Sequence, residues 1–175
     1  MNSALLLILT ACHPHSQMDT TAQRITRTAS ISVHEKIENI FPLFGAFEER
    51  KWADGWNPVL IYPAAETMGE GTTFRTAGNG EEKEFLWRVT RYEPQQHLVQ
   101  YLVSTENRYW TITVNCSPAD HDITTAEITY TYIGLNSLGN ALNSRALEKM
   151  YSQNLKDWEK AINHFLETGK ILKDN

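Results

Sequence analysis

The residue types that most often carry chemistry are sparse in this sequence. It contains six histidines, and none has the HxxxH or HExxH spacing by which one helix face holds a metal. Asp120-His121-Asp122 has the side chains of a metal site. This tripeptide lies in a predicted hairpin turn, however, where Asp is favoured because its side chain bonds to the backbone. The sequence therefore predicts neither a metal site nor a cofactor.

Nucleophile and phosphate motifs are not evident either. The chain has no GxSxG motif, and Gly78-Asn79-Gly80 precedes a predicted strand rather than the helix that a phosphate loop requires. Arg145 borders an apolar helical stripe, where it could orient a ligand through a carbonyl group. An arginine in such a position is more often exposed and paired with an acid. We therefore assign no catalytic residue and keep Arg145 as a candidate polar anchor.

Aromatic residues are the more informative group. Residues 41–58, FPLFGAFEERKWADGWNP, hold five aromatic rings in a segment too rich in proline, glycine and charge to be one long helix. Trp52 and Trp56 lie close to Gly55 and Pro58. A buried indole N–H needs a partner, which suits the partly wet rim of a pocket. The residues alone leave open whether these rings pack in the core or line the wall or mouth of a pocket.

Elements that position these rings follow from hydrophobic periodicity. Residues 24–33 alternate as a first strand, and two short helices are predicted after it, broken at Pro42. Residues 59–133 then read as about six short strands joined by tight turns, which is typical of an antiparallel meander. A long amphipathic helix is predicted from Ser137 to Leu166. The fold class is α+β, with a curved sheet of six to seven strands around the C-terminal helix.

The inward face of this sheet is predicted to be aromatic, with a few hydroxyl groups. Small-molecule pockets have that composition, and so do filled protein cores. We name as candidate ligand-binding residues the inward rings of the sheet, two tryptophans of the short helices and three residues of the long helix. They are Trp52, Trp56, Trp87, Tyr101, Trp110, Tyr130, Tyr132, Leu147, Met150 and Tyr151.

Composition limits the domain count and the partners. A chain of 175 residues is long enough for one domain with a sizeable core. Its net charge of −5 has no basic stripe to offset it. That argues against a nucleic-acid partner and against polybasic attachment to anionic lipid. The oligomeric state is left open.

The N-terminus allows two interpretations. An apolar run at residues 4–9 is followed by Thr10-Ala11-Cys12, which resembles a bacterial lipobox. Residues 1–17 are then a lipoprotein signal segment, Cys12 carries the lipid, residues 18–22 are a linker, and the protein is anchored to a membrane of the cell envelope. No Lys or Arg precedes the apolar run, unlike an ordinary signal peptide. In the alternative, translation starts at Met18 and the protein is cytoplasmic.

The order of elements resembles the helix-grip fold of the START and birch-pollen-allergen superfamily, SRPBCC, over residues 23–168. Residues 169–175 would be a tail. Phe41-Pro42-Leu43-Phe44, then Glu49, then residues 52–58 (WADGWNP) and 71–74 (GTTF), resemble a bacterial subgroup of polyketide-cyclase-like proteins. The resemblance implies a pocket between the sheet and the C-terminal helix. Fold alone does not imply function.

Three classes of function remain open. A binding protein or carrier for a hydrophobic small molecule requires only the pocket. An enzyme of the cyclase or dehydratase type requires paired titratable groups aimed into the pocket, and the sequence indicates none. A protein-interaction module requires an exposed apolar or charged patch, which one sequence does not reveal. The sequence favours the binding protein over an enzyme.

Overall fold

The computed structural model describes residues 21–120 and 122–173. Seven strands are present in this part of the chain. They are β1 Arg24–Val33, β2 Val59–Tyr62, β3 Thr73–Ala77, β4 Glu84–Glu93, β5 Leu98–Ser104, β6 Arg108–Asp120 and β7 Ile123–Gly134. Cys12 and the rest of the predicted signal segment lie outside the described residues.

The helices fall into two groups. After β1, helix α1 (Ile37–Ile40) runs directly into a 3₁₀ turn at Phe41–Phe44, and a second 3₁₀ turn follows at Glu48–Lys51. A third 3₁₀ turn, Pro94–Gln96, joins β4 to β5. The C-terminal part contains helices α2 and α3, which span Ser137–Tyr151 and Lys156–Thr168. None of the described helices combines the length and apolar character needed to cross a membrane.

All seven strands belong to one antiparallel sheet, in the order β1-β7-β6-β5-β4-β3-β2. Strands β2 to β7 form a meander, and β1 pairs with β7, so the first strand lies beside the last. Register shifts interrupt the β2–β3, β4–β5 and β6–β7 pairings, and such bulges bend and twist a sheet. The prediction of an antiparallel sheet of six to seven strands with a C-terminal helix is confirmed.

Alternation decides which face of the sheet is covered. In β5, for example, Val99, Tyr101 and Val103 are buried, whereas the residues between them keep more accessible surface. The same alternation recurs in β6 and β7. The inward rings predicted from the sequence therefore lie on the covered face, under the short helices, α2 and α3.

The C-terminal helix differs from the prediction, because it is two helices rather than one. Residues 152–155 interrupt it, and Asn154 and Leu155 adopt left-handed backbone conformations with φ of 50° and 57°. Leu155 is fully buried. A left-handed conformation costs a residue such as leucine about 1–2 kcal/mol, and burial of its side chain offsets that cost. The break lets α2 and α3 cover different halves of the sheet.

The half under α2 is filled. Arg108 and Glu82 are both buried there, with Nη2–Oε2 and Nε–Oε2 distances of 2.5 and 3.0 Å. The Arg108 guanidinium lies 4.9 Å from the centre of the Trp110 ring and 5.6 Å from that of Tyr132. Tyr132 in turn contacts Met150 of α2 through its hydroxyl group. These side chains occupy the space between the sheet and α2.

Candidate ligand-binding cavity

The broken segment after β1 is held in shape by hydrogen bonds from its own side chains. Trp52 Nε1 donates to the carbonyl oxygen of Leu43 at 2.8 Å, and Trp56 Nε1 donates to that of Ala46 at 2.6 Å. Arg50 donates to the carbonyl oxygen of Pro58 at 2.7 Å. These two indole N–H bonds hold the second 3₁₀ turn and the residues after it against the first turn and the link between them. The indole rings then form one wall.

This wall encloses a cavity of about 290 Å³ against the sheet and α3. Seven of the lining residues are aromatic. The complete lining is Ala46, Glu49, Trp52, Ala53, Asp54, Gly55, Trp56, Phe74, Trp87, Tyr101, Ile112, Val114, Tyr130 and Trp158. The rings also pack on one another. The Phe74 and Trp87 centroids are 5.5 Å apart in a stacked arrangement, and those of Trp52 and Trp158 are 5.5 Å apart edge to face.

The cavity reaches the surface at the turn after the second 3₁₀ turn. Asp54 and Gly55 line it and are exposed. Gly55 has φ of +75°, a conformation that suits glycine because it has no Cβ. The Asp54 carboxylate accepts a hydrogen bond from Lys173 Nζ at 2.6 Å, so the chain after α3 returns to this mouth.

Most polar atoms of the rings are already satisfied by the protein. Trp87 Nε1 donates to Thr76 Oγ1 at 3.0 Å, and the Tyr101 hydroxyl donates to the carbonyl oxygen of Phe44 at 2.7 Å. The Tyr130 hydroxyl, by contrast, has no hydrogen-bond partner among residues 21–120 and 122–173. It remains available to a ligand as donor or acceptor.

Glu49 is the acidic group inside the cavity. Its side chain has neither a hydrogen bond nor an ion pair with any residue that the structure describes. It keeps some accessible surface and is one of the residues that line the cavity. Burial raises the pKa of the Glu49 carboxyl well above its ordinary value of 4.5. An unpartnered carboxyl in an aromatic cavity favours its neutral form, because desolvation penalises the charge.

Glu49 contributes to the raised pKa values of two tyrosines of the sheet. Burial is the main cause that raises the pKa of Tyr101, and the negative charge of Glu49 is the second. For Tyr130 the causes are burial, then Tyr132, then Glu49. Both hydroxyl groups therefore stay protonated at neutral pH. Besides the Lys173-paired Asp54 at its mouth, the cavity offers a ligand the Glu49 carboxyl and the Tyr130 hydroxyl group, within a largely apolar lining.

The predicted site residues divide between the two halves of the sheet. Five of the ten line the cavity, namely Trp52, Trp56, Trp87, Tyr101 and Tyr130. Trp110 and Tyr132 instead pack with Arg108 in the filled half, and Met150 contacts Tyr132 there. Leu147 and Tyr151 line an outer groove between β1 and α2.

Arg145, the candidate polar anchor, lies outside the cavity. Its side chain is 62% exposed and its Nη2 is 3.3 Å from Oε2 of Glu81. This is the exposed, acid-paired alternative that the sequence left open.

Sequence reasoning missed three important lining residues. Phe74 and Trp158 carry no local signal beyond an apolar position in a strand or helix. Glu49 lies in the charged run EERK, which reads as a solvated surface. One signal was available, because a 3₁₀ turn has three residues per turn and places positions i and i+3 on one side. Glu49 and Trp52 have this spacing, so an inward Trp52 implies an inward Glu49.

Comparison with known proteins gives similarity in structure only. No protein-family model and no curated protein sequence matches the chain. Norcoclaurine synthase from Thalictrum flavum, solved in complex with dopamine and hydroxybenzaldehyde, aligns with a TM-score of 0.60 and 16% identity. That alignment covers 98% of this chain and all of the synthase chain.

Two further solved structures have a similar fold. Ara h 8.0201 aligns with a TM-score of 0.60 and 14% identity, covering 83% of this chain and 99% of that one. The di-domain ARO/CYC protein BexL, from the BE-7585A biosynthetic pathway, also gives a TM-score of 0.60, at 15% identity. The alignment covers 81% of this chain and 47% of BexL.

These matches define the class of fold. The molecule is a helix-grip protein, in which an antiparallel sheet is wrapped against C-terminal helices. It has the fold of the SRPBCC, birch-pollen-allergen-like superfamily, so the predicted resemblance is confirmed at the level of the fold. The likeness to a polyketide-cyclase-like subgroup stays a prediction.

Proposed function

We propose that this protein binds a small hydrophobic molecule in the cavity between the short helices, the sheet and α3. The observation that carries the proposal is the aromatic cavity itself, with seven rings around about 290 Å³ and a mouth at Asp54. That volume is near the lower end of the range for ligand pockets, about 300–1,000 Å³. It suits a compact ligand of one or two rings.

Burial of apolar surface is the expected driving force. Each Å² of apolar surface removed from water contributes about 25 cal/mol, offset by the cost of immobilising the ligand. The norcoclaurine synthase structure contains two single-ring compounds, dopamine and hydroxybenzaldehyde, and a ligand of that size fits the volume measured here. That similarity supports the size of the proposed ligand and carries no information on its identity.

The test is isothermal titration calorimetry with 2-naphthol on the wild type and on two phenylalanine variants. Ala53 lines the cavity, so Ala53→Phe should fill the space and abolish the binding heat. Ala141 is exposed on α2, so Ala141→Phe should bind like the wild type. Native mass spectrometry of the purified protein would show whether a small molecule co-purifies. Equal binding by the wild type and Ala53→Phe would place the ligand elsewhere and reject the proposal.

A second candidate function is an acid–base enzyme acting on the bound molecule, and Glu49 is the observation that favours it. A general acid or base works best when its pKa lies near the operating pH, and burial moves the pKa of Glu49 upward. One proton would pass between Glu49 and the substrate, with the Tyr130 hydroxyl as a neighbouring hydrogen-bond group. Mass analysis of the bound compounds should then detect a product with the wild type that is absent with Glu49→Gln.

A further inference from the structure

The cavity is acidic as well as aromatic. Glu49 and Asp54 are its charged lining residues, and no described residue of the lining is basic. Asp157 of α3 lies near enough to Tyr130 to raise the pKa of that hydroxyl further, after burial and the other neighbours. The described lining thus offers acidic groups but no basic side chain that could pair with an anion, which disfavours an anionic ligand.

The cations close to Glu49 in sequence are engaged elsewhere. Arg50 pairs with Glu66 at 2.8 Å and also donates to the Pro58 carbonyl oxygen. Lys51 pairs with Glu48. At the mouth, Lys173 pairs with Asp54 at 2.6 Å. No ion pair joins the Glu49 carboxyl to any cation among the residues that the structure describes.

Aromatic faces attract cations because the ring quadrupole is negative above and below the plane. Cages of aromatic rings that bind ammonium groups use this attraction, and a nearby carboxylate adds an ion pair. We propose that the cavity selects a small organic ammonium ion, held by the Glu49 carboxylate and by the tryptophan and tyrosine rings around it. This inference rests on the proposed binding function and names the chemical class of the ligand.

Binding of such a cation should be coupled to loss of a proton. In the empty cavity burial raises the pKa of Glu49, so the carboxyl is favoured in its neutral form. An ammonium ion beside it favours the carboxylate, and the displaced proton passes to the solvent while the ligand keeps its own. Tyr101 and Tyr130 face the same carboxyl from the sheet and remain neutral, because burial raises their pKa values. The affinity should therefore rise with pH until Glu49 is ionised in the free protein.

The test compares four indole compounds of similar shape by calorimetry. Tryptamine is cationic, tryptophol is neutral, indole-3-acetate is anionic, and indole-3-carbaldehyde is a neutral hydrogen-bond acceptor. We expect tryptamine to bind about tenfold more tightly than tryptophol, as cation–π attraction on this scale allows. Titration in buffers of different ionisation enthalpy should show release of up to one proton with tryptamine and none with tryptophol.

Glu49→Gln is the decisive variant, because it keeps the shape of the side chain and removes its charge. The variant should lose the preference for tryptamine and the proton release while still binding tryptophol. Equal affinities for tryptamine and tryptophol in the wild type would overturn the inference and leave the proposed binding function intact. Tighter binding of the aldehyde, weakening as pH rises, would also overturn it and indicate a neutral Glu49 that donates to a carbonyl. Failure of all four compounds to bind, in a protein that does bind 2-naphthol, would overturn the inference and leave the proposed binding function standing.

Discussion

The buried carboxyl of Glu49 should make the stability of the protein depend on pH in a specific direction. The perturbation that isolates it is Glu49→Gln, which removes the ionisable group and preserves the volume of the side chain. Burial raises the pKa of Glu49 in the folded state above the 4.5 expected of an exposed glutamate. Between those two values the folded protein keeps a proton that the unfolded chain has released.

The sign and size of the effect follow from this difference. Because the folded state binds more protons, the free energy of unfolding falls as pH rises above 4.5. One such group gives a slope of at most about 1.4 kcal/mol per pH unit until its folded-state pKa is reached. Glutamine does not ionise, so Glu49→Gln should be more stable than the wild type at neutral pH. The difference should shrink towards its smallest value near the ordinary pKa of glutamate.

Urea denaturation followed by tryptophan fluorescence, at pH values of about 4, 6 and 8, measures this difference directly. Glu38→Gln is the matched control, since Glu38 is exposed on α1, and a surface substitution of this kind should change the stability by no more than about 0.5 kcal/mol. A stability difference between Glu49→Gln and the wild type that does not grow with pH would refute the assignment of Glu49 as a buried, unpartnered carboxyl. Destabilisation by Glu49→Gln at neutral pH would refute it as well.

Three further predictions concern the filled half of the sheet, the contact between α2 and the Asn107 backbone, and the N-terminus. Arg108→Met should lower the free energy of unfolding by about 3–5 kcal/mol, because it leaves the buried Glu82 unpaired. Adding Glu82→Met should recover most of that loss. A loss of less than about 1 kcal/mol for Arg108→Met, measured by urea denaturation, would contradict the buried pair. Gly139→Ala should lower the free energy of unfolding by about 1–3 kcal/mol, because a Cβ at this position would lie 2.0 Å from the Asn107 carbonyl oxygen. An unchanged melting temperature would show that α2 lies further from the start of β6. Cys12→Ser should prevent acylation and release the protein from the membrane fraction of a bacterial host, whereas a soluble wild type that begins at Met18 would contradict the lipoprotein prediction.

The sheet could be predicted from the sequence because its signal is local. Most of the strands alternate polar and apolar residues with period two, as β5 and β7 do, and turn residues separate successive strands. The break between α2 and α3 could not be predicted in the same way. Leu155 continues the apolar stripe of a helix, and only its burial in the folded protein offsets a left-handed backbone. Asn154 was the one local hint, since asparagine tolerates that conformation.

The candidate site was predictable only in part. Alternation identifies which rings face inward, and this was sufficient for Trp87, Tyr101 and Tyr130. It does not reveal which half of the inward face is filled, because that depends on the distant pairing of Glu82 with Arg108. Trp110 and Tyr132 were grouped with the cavity residues for this reason. Glu49 was missed because the residues next to it are charged and point outward, whereas its own position follows the period of a 3₁₀ turn.

The five tryptophans of the chain give the most direct test of the central claim, that a ligand occupies this cavity. Each contributes one indole N–H signal to a two-dimensional ¹H–¹⁵N spectrum. Four of them, Trp52, Trp56, Trp87 and Trp158, line the cavity, whereas Trp110 packs under Arg108 in the filled half. On titration with 2-naphthol, the four cavity signals should shift with a common saturation curve and that of Trp110 should change least. A saturating response centred on Trp110, or no response in the other four, would contradict the account.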